Sequence, residues 1–366
     1  MHIPMHVPLI SVIDSNATNR AKVAEVLMSM YRVNQYPDAE RGWHGLRIAP
    51  PRVVLIDDEI PPHGGFALIH QMRQEPVLAE VAVVLVSRHD KAEIASALSQ
   101  CGANACLPKP YGRNHLIRTI SALINHDVES RWNELTDPSR QALKGTVEIF
   151  NDISDSIAAG EPVRFTSVKD ACAPLVDAIG TNDVRGILDG VKEHDNYSYA
   201  HSLRVATLLS LFGHTLGLPR EDLMMLASGG LLHDVGKVAI PHEILNKPGR
   251  LTEAEFAVMK GHVTETIRYL DAGAAIPRPV VIIAAQHHEK LDGTGYPLGL
   301  PKGELNELAR MASIADVFSA LTDRRVYKPA MEAEKALTLM TEQMSHHLDQ
   351  HLLRLFRTML LDAVRD

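Results

Sequence analysis

The stretch HHEKLDGTGYP, residues 287–297, decides how the second half of this sequence is interpreted. It follows the apolar run VVIIAA, residues 280–285, and Pro279 predicts that a helix begins just before that run. Two adjacent histidines are a weak signal alone, because a lone histidine on a helix most often has no catalytic role. Their meaning depends on which other histidines and aspartates lie on the helices of the same half.

Further histidines and aspartates lie on predicted helices on both sides of that stretch. Asp316 is the most informative, because it lies among small and apolar residues in MASIADVFSAL, where an unpaired buried carboxylate would be costly. A buried carboxylate requires a partner, and a metal ion is one. The residues of this kind are His201, His233, Asp234, His262, His287, His288 and Asp316.

These five histidines and two aspartates form a mixed imidazole and carboxylate set. Such a set suits Fe, Mn, Zn or Ni. Seven ligands are too many for one tetrahedral site, but they suit two ions that share one carboxylate. Two ions ~3.5–4 Å apart can clamp the attacking and leaving oxygens of a phosphoester. The ligand set alone therefore predicts metal-dependent phosphoester hydrolysis.

With LLHDVGK, residues 231–237, upstream of HHEKLDGTGYP, the sequence resembles the HD-GYP domain, a branch of the HD phosphohydrolases. The resemblance covers residues 170–366 and implies an all-α domain that hydrolyses the bacterial second messenger cyclic di-guanylate to pGpG or GMP. It implies two divalent transition-metal ions, Fe or Mn first and Zn or Ni otherwise. One ion would be held by His201, His233, Asp234 and Asp316, and the other by His262, His287 and His288, with Asp234 bridging.

The resemblance also assigns roles around the metals. Asp234 and Lys237 are the predicted catalytic residues, because Lys237 matches a lysine that steadies the scissile phosphate. Arg325 and Lys328 match positions that contact the phosphates and guanine, although an exposed basic turn is the alternative. Tyr296 is expected at the rim of the substrate pocket, at a docking surface or in a purely structural turn.

Two further positions near the predicted ligands bear on the number of metal ions and on the orientation of the ligands. Some members of the family hold a third metal through a glutamate, and Tyr197 occupies that position here. The centre is therefore expected to be binuclear. Glu289 is expected either to orient a ligand histidine or to be exposed.

The first half of the chain alternates between short apolar runs and helical patterns. Strands that alternate with helices of about ten residues favour parallel pairing, and continuous Val, Ile and Leu runs fit strands buried on both faces. The class predicted is a doubly wound α/β domain with a five-stranded parallel sheet. The runs are Val7–Ile13, Val53–Ile56, Val81–Val86 and Ala105–Leu107, and the helical patterns are Thr18–Met30, Phe66–Gln74, Lys91–Ser99 and His115–Asn125.

Polar residues follow the apolar runs, where such sheets place their functional groups. This half resembles a response-regulator receiver domain, with Pro61 and Gly65 at the family spacing after Asp57 in LIDDEIPPHGGF. The resemblance implies that Asp57 accepts a phosphoryl group and that Asp14, Ser87 and Lys109 complete the receiver site.

Two departures leave an alternative open. Asp14–Ser15 replaces the family's two acidic residues, which weakens the case for Mg²⁺, and Cys106 replaces its aromatic switch residue. The alternative is a receiver fold that is not phosphorylated and serves in dimerisation or docking.

The chain is expected to divide into three segments. Residues 1–125 form the receiver-like domain, 126–169 a helical linker and 170–366 the phosphodiesterase domain. In the linker, apolar residues from Trp132 to Ile157 recur at helical spacing, and Gly160 predicts a break. This helix either couples the two domains, as a rigid rod or a dimer seam, or packs on the second domain.

Composition limits the remaining function classes. The net charge of −8 disfavours duplex nucleic acid as the main partner, and three cysteines without metal-ligand spacing favour a reducing compartment. No signal peptide or membrane span is indicated, so the protein is expected in the cytoplasm. A homodimer, a sensor histidine kinase and a diguanylate cyclase are the expected protein partners.

The sequence thus predicts a receiver-regulated cyclic di-guanylate phosphodiesterase. Two rivals stay open. One is a non-catalytic module that binds cyclic di-guanylate or a cyclase, and the other is an HD hydrolase of another nucleotide. The loop that contains Gly295, Tyr296 and Pro297 (residues 289–300, the GYP loop) favours cyclic di-guanylate by resemblance, and so do Arg325 and Lys328.

Overall fold

The computed structural model describes residues 8–28, 30–88, 102–245, 247, 249–272, 276–323 and 330–365. The chain divides into two compact units, residues 1–127 and residues 128–366. The predicted boundaries at 125 and 169 are not tested by this division and stay a prediction.

The first unit is the predicted doubly wound domain, with five parallel strands in the order β2-β1-β3-β4-β5. The central strands are buried because their Val, Ile and Leu side chains meet helices on both faces. The strands are β1 (Leu9–Ile13), β2 (Arg32–Tyr36), β3 (Val53–Asp57), β4 (Ala82–Ser87) and β5 (Ala105–Pro108). The helices are α1 (Ala17–Met28), α2 (Ala39–Ile48), α3 (Gly64–Gln74) and α4 (Arg113–Arg131).

Strand β2 and helix α2 have no counterpart among the runs named from the sequence. The β2 sequence RVNQY is mostly polar, so it does not stand out as an apolar run. This composition fits its position, because β2 is an edge strand that pairs only with β1 among the described strands and is partly exposed. Helix α2 begins at an N-cap, where the Asp38 side chain accepts a hydrogen bond from the backbone N–H of Arg41. The helix predicted at Lys91–Ser99 lies outside the described residues.

The strand register brings the predicted receiver residues to one edge of the sheet. Strand β3 lies between β1 and β4, and Ser87 at the end of β4 pairs with Pro108 of β5. Asp14, Asp57, Ser87 and Lys109 therefore end up at the carboxyl ends of neighbouring strands, as the sequence predicts.

The second unit is helical and has one large apolar core. Phe356 is fully buried in this core, in edge-to-face contact with Phe212 and Phe318. No described helix in either unit is long and apolar enough to cross a membrane. The helices are α5 (Asp137–Ala159), α6 (Phe165–Gly180), α7 (Val184–Val191), α8 (Tyr197–Thr215), α9 (Arg220–Leu232), α10 (His242–Leu245), α11 (Glu253–Asp271), α12 (Arg278–Gln286), α13 (Glu307–Thr322), α14 (Ala333–Glu342) and α15 (Gln350–Arg365).

Helix α5 is the amphipathic helix of the middle segment. It ends at Gly160, which adopts the left-handed conformation that glycine tolerates best. Its apolar side chains, among them Phe150, Ile153 and Ile157, are buried in the core of the second unit. The helix therefore packs on the second unit, which is one of the two interpretations given above.

Candidate metal centre

The seven predicted ligands lie close together in the second unit, although they come from five separate places in the chain. His201 lies within α8, His262 within α11 and Asp316 within α13. His233 and Asp234 follow the last residue of α9, and His287 and His288 follow α12. All are buried except His288, whose side chain is 25% exposed.

Asp234 is the centre of the cluster. One of its carboxylate oxygens, Oδ1, lies 3.1 Å from His262 Nε2 and 3.8 Å from His287 Nε2. The other, Oδ2, lies 3.2 Å from His233 Nε2 and 3.7 Å from His201 Nε2. One carboxylate thus faces four imidazoles, two at each of its oxygens.

Asp316 closes the opposite side of the cluster. Its Oδ1 lies 2.9 Å from His201 Nε2, and its Oδ2 lies 3.7 Å from His288 Nδ1. Asp316 therefore has the imidazole partners that its burial requires.

The backbone fixes the orientation of three of the imidazoles. His233 Nδ1 lies 2.7 Å from the Gly230 carbonyl, and His262 and His287 make the same contact with the carbonyl three residues earlier, at 2.7 Å and 2.9 Å. Because a carbonyl only accepts, each Nδ1 must carry the proton, and in a neutral ring Nε2 then has a free lone pair.

Those lone pairs lack a partner in the described structure. His233 Nε2, His262 Nε2, His287 Nε2 and Asp234 Oδ1 are buried and make no hydrogen bond to any described residue. Nitrogen lone pairs that face an anionic oxygen repel it unless a cation lies between them. Buried atoms of this kind fit metal ligands, whose outer nitrogens are typically held by such carbonyls.

The ligand atoms form two groups that share Asp234. One group is His201, His233 and Asp234, and the other is Asp234, His262, His287 and His288. Within each group the ligand atoms lie within 4.8 Å of one another. The residues present therefore fit two divalent ions with Asp234 between them.

The protonation states suit metal binding, which requires neutral imidazoles and ionised carboxylates. Burial lowers the pKa of His288 to about 4, and burial with the nearby His288 and His233 lowers the pKa of His287 well below its usual value. Burial raises the pKa of Asp234, but His233 and Lys237 outweigh it, so the pKa of Asp234 lies well below its usual value.

His201 differs from the other imidazoles. Burial lowers its pKa, but hydrogen bonds to Asp316 and Asp323 outweigh burial and raise it. In the metal-free chain this ring therefore retains a proton more readily than His287 and His288. A metal ion at His201 Nε2 would have to displace that proton.

Asp323 is a site residue that the sequence analysis missed. Its Oδ2 lies 3.3 Å from His201 Nδ1, and its Oδ1 lies 2.8 Å from a guanidinium nitrogen of Arg204. The hydroxyl of Ser319 lies 3.2 Å from both His201 Nδ1 and Asp323. The signal was present, because Asp323 follows Asp316 by seven residues, or about two helical turns, on the same helix face.

Lys237 lies on the short 3-10 helix Val235–Ala239 and forms an ion pair with Asp234. Its side chain is 21% exposed, so the ammonium lies at the edge of the centre. Arg325 and Lys328, the other predicted substrate contacts, lie outside the described residues. Tyr197, at the third-metal position, stacks on the ring of His201 with centroids 5.8 Å apart.

The GYP loop contacts the centre through Tyr296, whose ring stacks on His288 with centroids 4.7 Å apart. Both expectations for Glu289 are wrong. Its carboxylate is buried and accepts hydrogen bonds from the backbone N–H groups of Leu298, Gly299 and Leu300. Glu289 therefore holds the loop, and a buried carboxylate needed those three donors.

The predicted receiver residues in the first unit also lie close together, and Asp58 joins them. Lys109 forms an ion pair with Asp57, and both side chains are largely buried. The Ser87 hydroxyl donates to Asp58, a residue that the sequence analysis left without a role. Asp57, Asp58 and Glu59 form a further group that could hold a cation.

Tyr111 and Asp14 border the same cavity as Asp57. Burial and the nearby Asp14 and Asp57 raise the pKa of Tyr111 to about 12, and burial raises the pKa of Asp14. Cys106, the predicted substitute for the aromatic switch, packs against the core on one face of the sheet.

Two families match the two parts of the chain. Residues 10–121 match the response regulator receiver domain, and residues 188–352 match the HD domain. Among solved structures, the HDG"Y"P protein Bd1817 of Bdellovibrio bacteriovorus superposes with a TM-score of 0.52 at 20% identity. It covers 67% of this chain and 79% of that protein, which supports the fold.

The similar curated proteins are phosphodiesterases by name. A cyclic di-GMP phosphodiesterase of Pseudomonas aeruginosa is 39% identical over 187 residues, which are 50% of this chain and 45% of that protein. The 3'3'-cGAMP-specific phosphodiesterase 3 of Vibrio cholerae is 40% identical over 42% of this chain and 33% of that protein. The cyclic di-GMP phosphodiesterase response regulator RpfG of Xanthomonas campestris pv. campestris is 27% identical over 81% of this chain and 72% of that protein. The alignments to the first two relatives thus span less than half of their length.

Proposed function

We propose that this chain, whose two parts match the response regulator receiver domain and the HD domain, is a metal-dependent phosphodiesterase that hydrolyses cyclic di-guanylate. The observation that carries the proposal is the set of buried, unpartnered Nε2 atoms that face the Asp234 carboxylate. A protein that only bound a nucleotide would have little need for seven converging ligands.

We propose that the residues of the centre hold two ions. His201, His233 and Asp316 would hold one, His262, His287 and His288 the other, and Asp234 would bridge them. Fe or Mn is proposed first, with Zn or Ni as alternatives, because imidazole and carboxylate ligands accept all four. When bound, such a pair supplies a nucleophile from water at neutral pH and clamps phosphoester oxygens.

The remaining residues position the substrate. Lys237 offers a cation at the edge of the centre, where it would stabilise negative charge that develops on the phosphate. Tyr296 stacks on one face of His288, where it would limit access of water from that side. Arg325 and Lys328 are proposed to contact phosphate and guanine, since a guanidinium fork pairs with two acceptors.

A second candidate substrate has its own support. Three of the similar proteins from Vibrio cholerae are named 3'3'-cGAMP-specific phosphodiesterases, at 36–40% identity. That molecule shares the cyclic phosphodiester backbone and one guanine with cyclic di-guanylate. The metal centre would act on both, so the bases must decide between them.

The experiment that tests this proposal supplies the metal-loaded full chain with each cyclic dinucleotide and separates the products by chromatography. We expect faster conversion of cyclic di-guanylate to pGpG or GMP than of 3'3'-cGAMP. An Asp234→Asn variant should convert neither. A faster reaction with 3'3'-cGAMP would assign the second substrate, and binding without conversion would support the non-catalytic alternative.

The proposed regulation starts at the receiver. A sensor histidine kinase would phosphorylate Asp57, with Mg²⁺ held by Asp14 and Asp57, and Asp58 is a further carboxylate near it. The chain is proposed to form a homodimer, which light scattering of the full chain would check. A diguanylate cyclase partner is proposed as well, and capture of a purified cyclase by the immobilised chain would check it.

A further inference from the structure

A second cluster of potential ligands lies outside the metal centre. Asp292 belongs to the GYP loop, and His346 and His347 lie in the turn that connects α14 to α15. One ligand atom from each of these residues lies within 4.8 Å of the others. None of the three belongs to the proposed phosphodiesterase centre, and the cluster would exist whether or not that proposal holds.

The loop and the turn are already in contact. The backbone N–H of Leu291 donates to the carbonyl of His347 at 3.0 Å, which brings the side chains of Asp292 and His347 to the same place. His347 Nε2 lies 3.4 Å from Asp292 Oδ2. The rings of His346 and His347 lie with centroids 4.0 Å apart.

An ion pair alone does not account for the cluster. His347 Nδ1 is buried and makes no hydrogen bond among the described residues, so Nε2 is the nitrogen of this ring that faces a polar partner, Asp292 Oδ2. Burial lowers the pKa of His347, and Lys290 and His346 lower it further, which favours the neutral ring. A neutral imidazole gains little from Asp292 as an ion pair, but it is the form that binds metals.

The Asp292 carboxylate is also held in a form that binds metals, because it is ionised and oriented by hydrogen bonds. Both the backbone N–H and the hydroxyl of Thr294 donate to Asp292 Oδ1, at 3.0 Å and 2.7 Å. These bonds lower the pKa of Asp292 and leave Oδ2 directed toward His347. The outer oxygen of a metal-binding carboxylate is typically held by such donors.

We propose that Asp292, His346 and His347 form a peripheral site for a divalent transition-metal ion, with Zn²⁺ as the best match. Two imidazoles and one carboxylate on one side of an ion leave the other positions for water. Ligands ~2.1 Å from a tetrahedral ion lie about 3.4 Å apart, which is the distance between His347 Nε2 and Asp292 Oδ2. A rotation of the exposed His346 side chain that moves its ligand atom by about 1 Å would complete the site. The ion would link the GYP loop, which carries Tyr296, to the turn before α15.

The proposal is tested by counting metal ions in the full-length protein. Wild type, Asp292→Asn and a His346→Ala/His347→Ala double variant are loaded with Zn²⁺, desalted and measured by elemental analysis. Asn at 292 can still accept both bonds from Thr294, so this variant should fold even if the double variant does not. The matched control is His351→Ala, because His351 is an exposed histidine in the same region outside the cluster.

We expect both cluster variants to contain one Zn²⁺ per chain less than wild type and His351→Ala, with the metals of the main centre retained. Hydrogen exchange should also become faster in residues 291–300 of the cluster variants, because the loop loses its fastening. Equal Zn²⁺ content in folded Asp292→Asn and His351→Ala would overturn the proposal. Variants of His233 and His262 are measured in the same way. If these variants lose all Zn²⁺ and the cluster variants lose none, every ion lies in the main centre, and this result would also overturn the proposal.

Discussion

At the scale of single residues, the site depends on which nitrogen of each imidazole carries the proton. Backbone carbonyls set this for His233, His262 and His287. His201 lies in the middle of α8 and has no such carbonyl contact among its described hydrogen bonds. Asp323 takes over that function, and Arg204 holds Asp323 in place.

Asp323→Asn should weaken metal binding while the fold is retained. Loss of an outer partner of a metal-binding histidine typically costs 10–100-fold in metal affinity or activity. The measurement is the metal concentration that restores half of the phosphodiesterase rate to metal-free protein, and we expect it to rise by about that factor.

The chain offers a matched control for that substitution. Asp349 pairs with Arg310 at 2.8 Å, as Asp323 does with Arg204, but it has no contact with the predicted ligands among its described bonds. Asp349→Asn should leave the metal requirement unchanged. An equal change in both variants would show that the effect comes from stability alone.

Lys237→Met should lower kcat by about 10²–10³-fold with the metal content unchanged, because removal of one donor that stabilises transition-state charge has that cost. Steady-state kinetics with elemental analysis would measure both. Lys247→Met is the control, since Lys247 also pairs with a carboxylate, that of Glu255, away from the predicted ligands. A rise in KM with unchanged kcat would contradict a role in the transition state.

At the scale of elements, the centre depends on how closely the chain after α9 approaches α11. A Cβ atom at Gly236 would lie 2.1 Å from the carbonyl oxygen of His262 and 2.5 Å from the backbone nitrogen of Thr266. The Gly236 N–H donates to the Thr266 hydroxyl at 2.9 Å. This contact holds His233 and Asp234 against His262.

Gly236→Ala should therefore separate the two segments. We expect a loss of about 1–3 kcal/mol in the free energy of unfolding, together with weaker metal binding. Gly261→Ala is the control, because that glycine lies in α11 with open space around it and the change should stabilise the helix by up to about 1 kcal/mol. Urea unfolding of both variants measures the difference, and equal stability would contradict the proposed contact.

At the scale of the whole molecule, the sequence predicted the two fold classes and named seven residues that lie close together in the structure. Residue type and local motifs carry that information, since a helix face or a strand end fixes where each ligand lies. Strand β2 was not predicted because it is an edge strand with a mostly polar sequence, which does not form an apolar run. The bonds of Ser87 to Asp58 and of Glu289 to the loop could not be predicted, because they depend on side-chain direction in the folded chain.

The receiver makes a prediction at the same scale. With a small phosphodonor and Mg²⁺, turnover by the wild type should change, whereas turnover by Asp57→Ala should not, because Asp57 is the proposed acceptor beside Lys109. The rates are compared with and without the donor. Equal rates for wild type and variant with the donor present would remove phosphorylation from the account.

The most direct test of the central claim is the rate of cyclic di-guanylate hydrolysis before metal removal, after chelation and dialysis, and after Mn²⁺ or Fe²⁺ is returned. The account predicts activity in the first state, almost none in the second and recovery in the third. His262→Ala should fail to recover, because it removes one of the nitrogens that face Asp234. Full hydrolysis by the metal-free wild type, or by His262→Ala, would contradict the account.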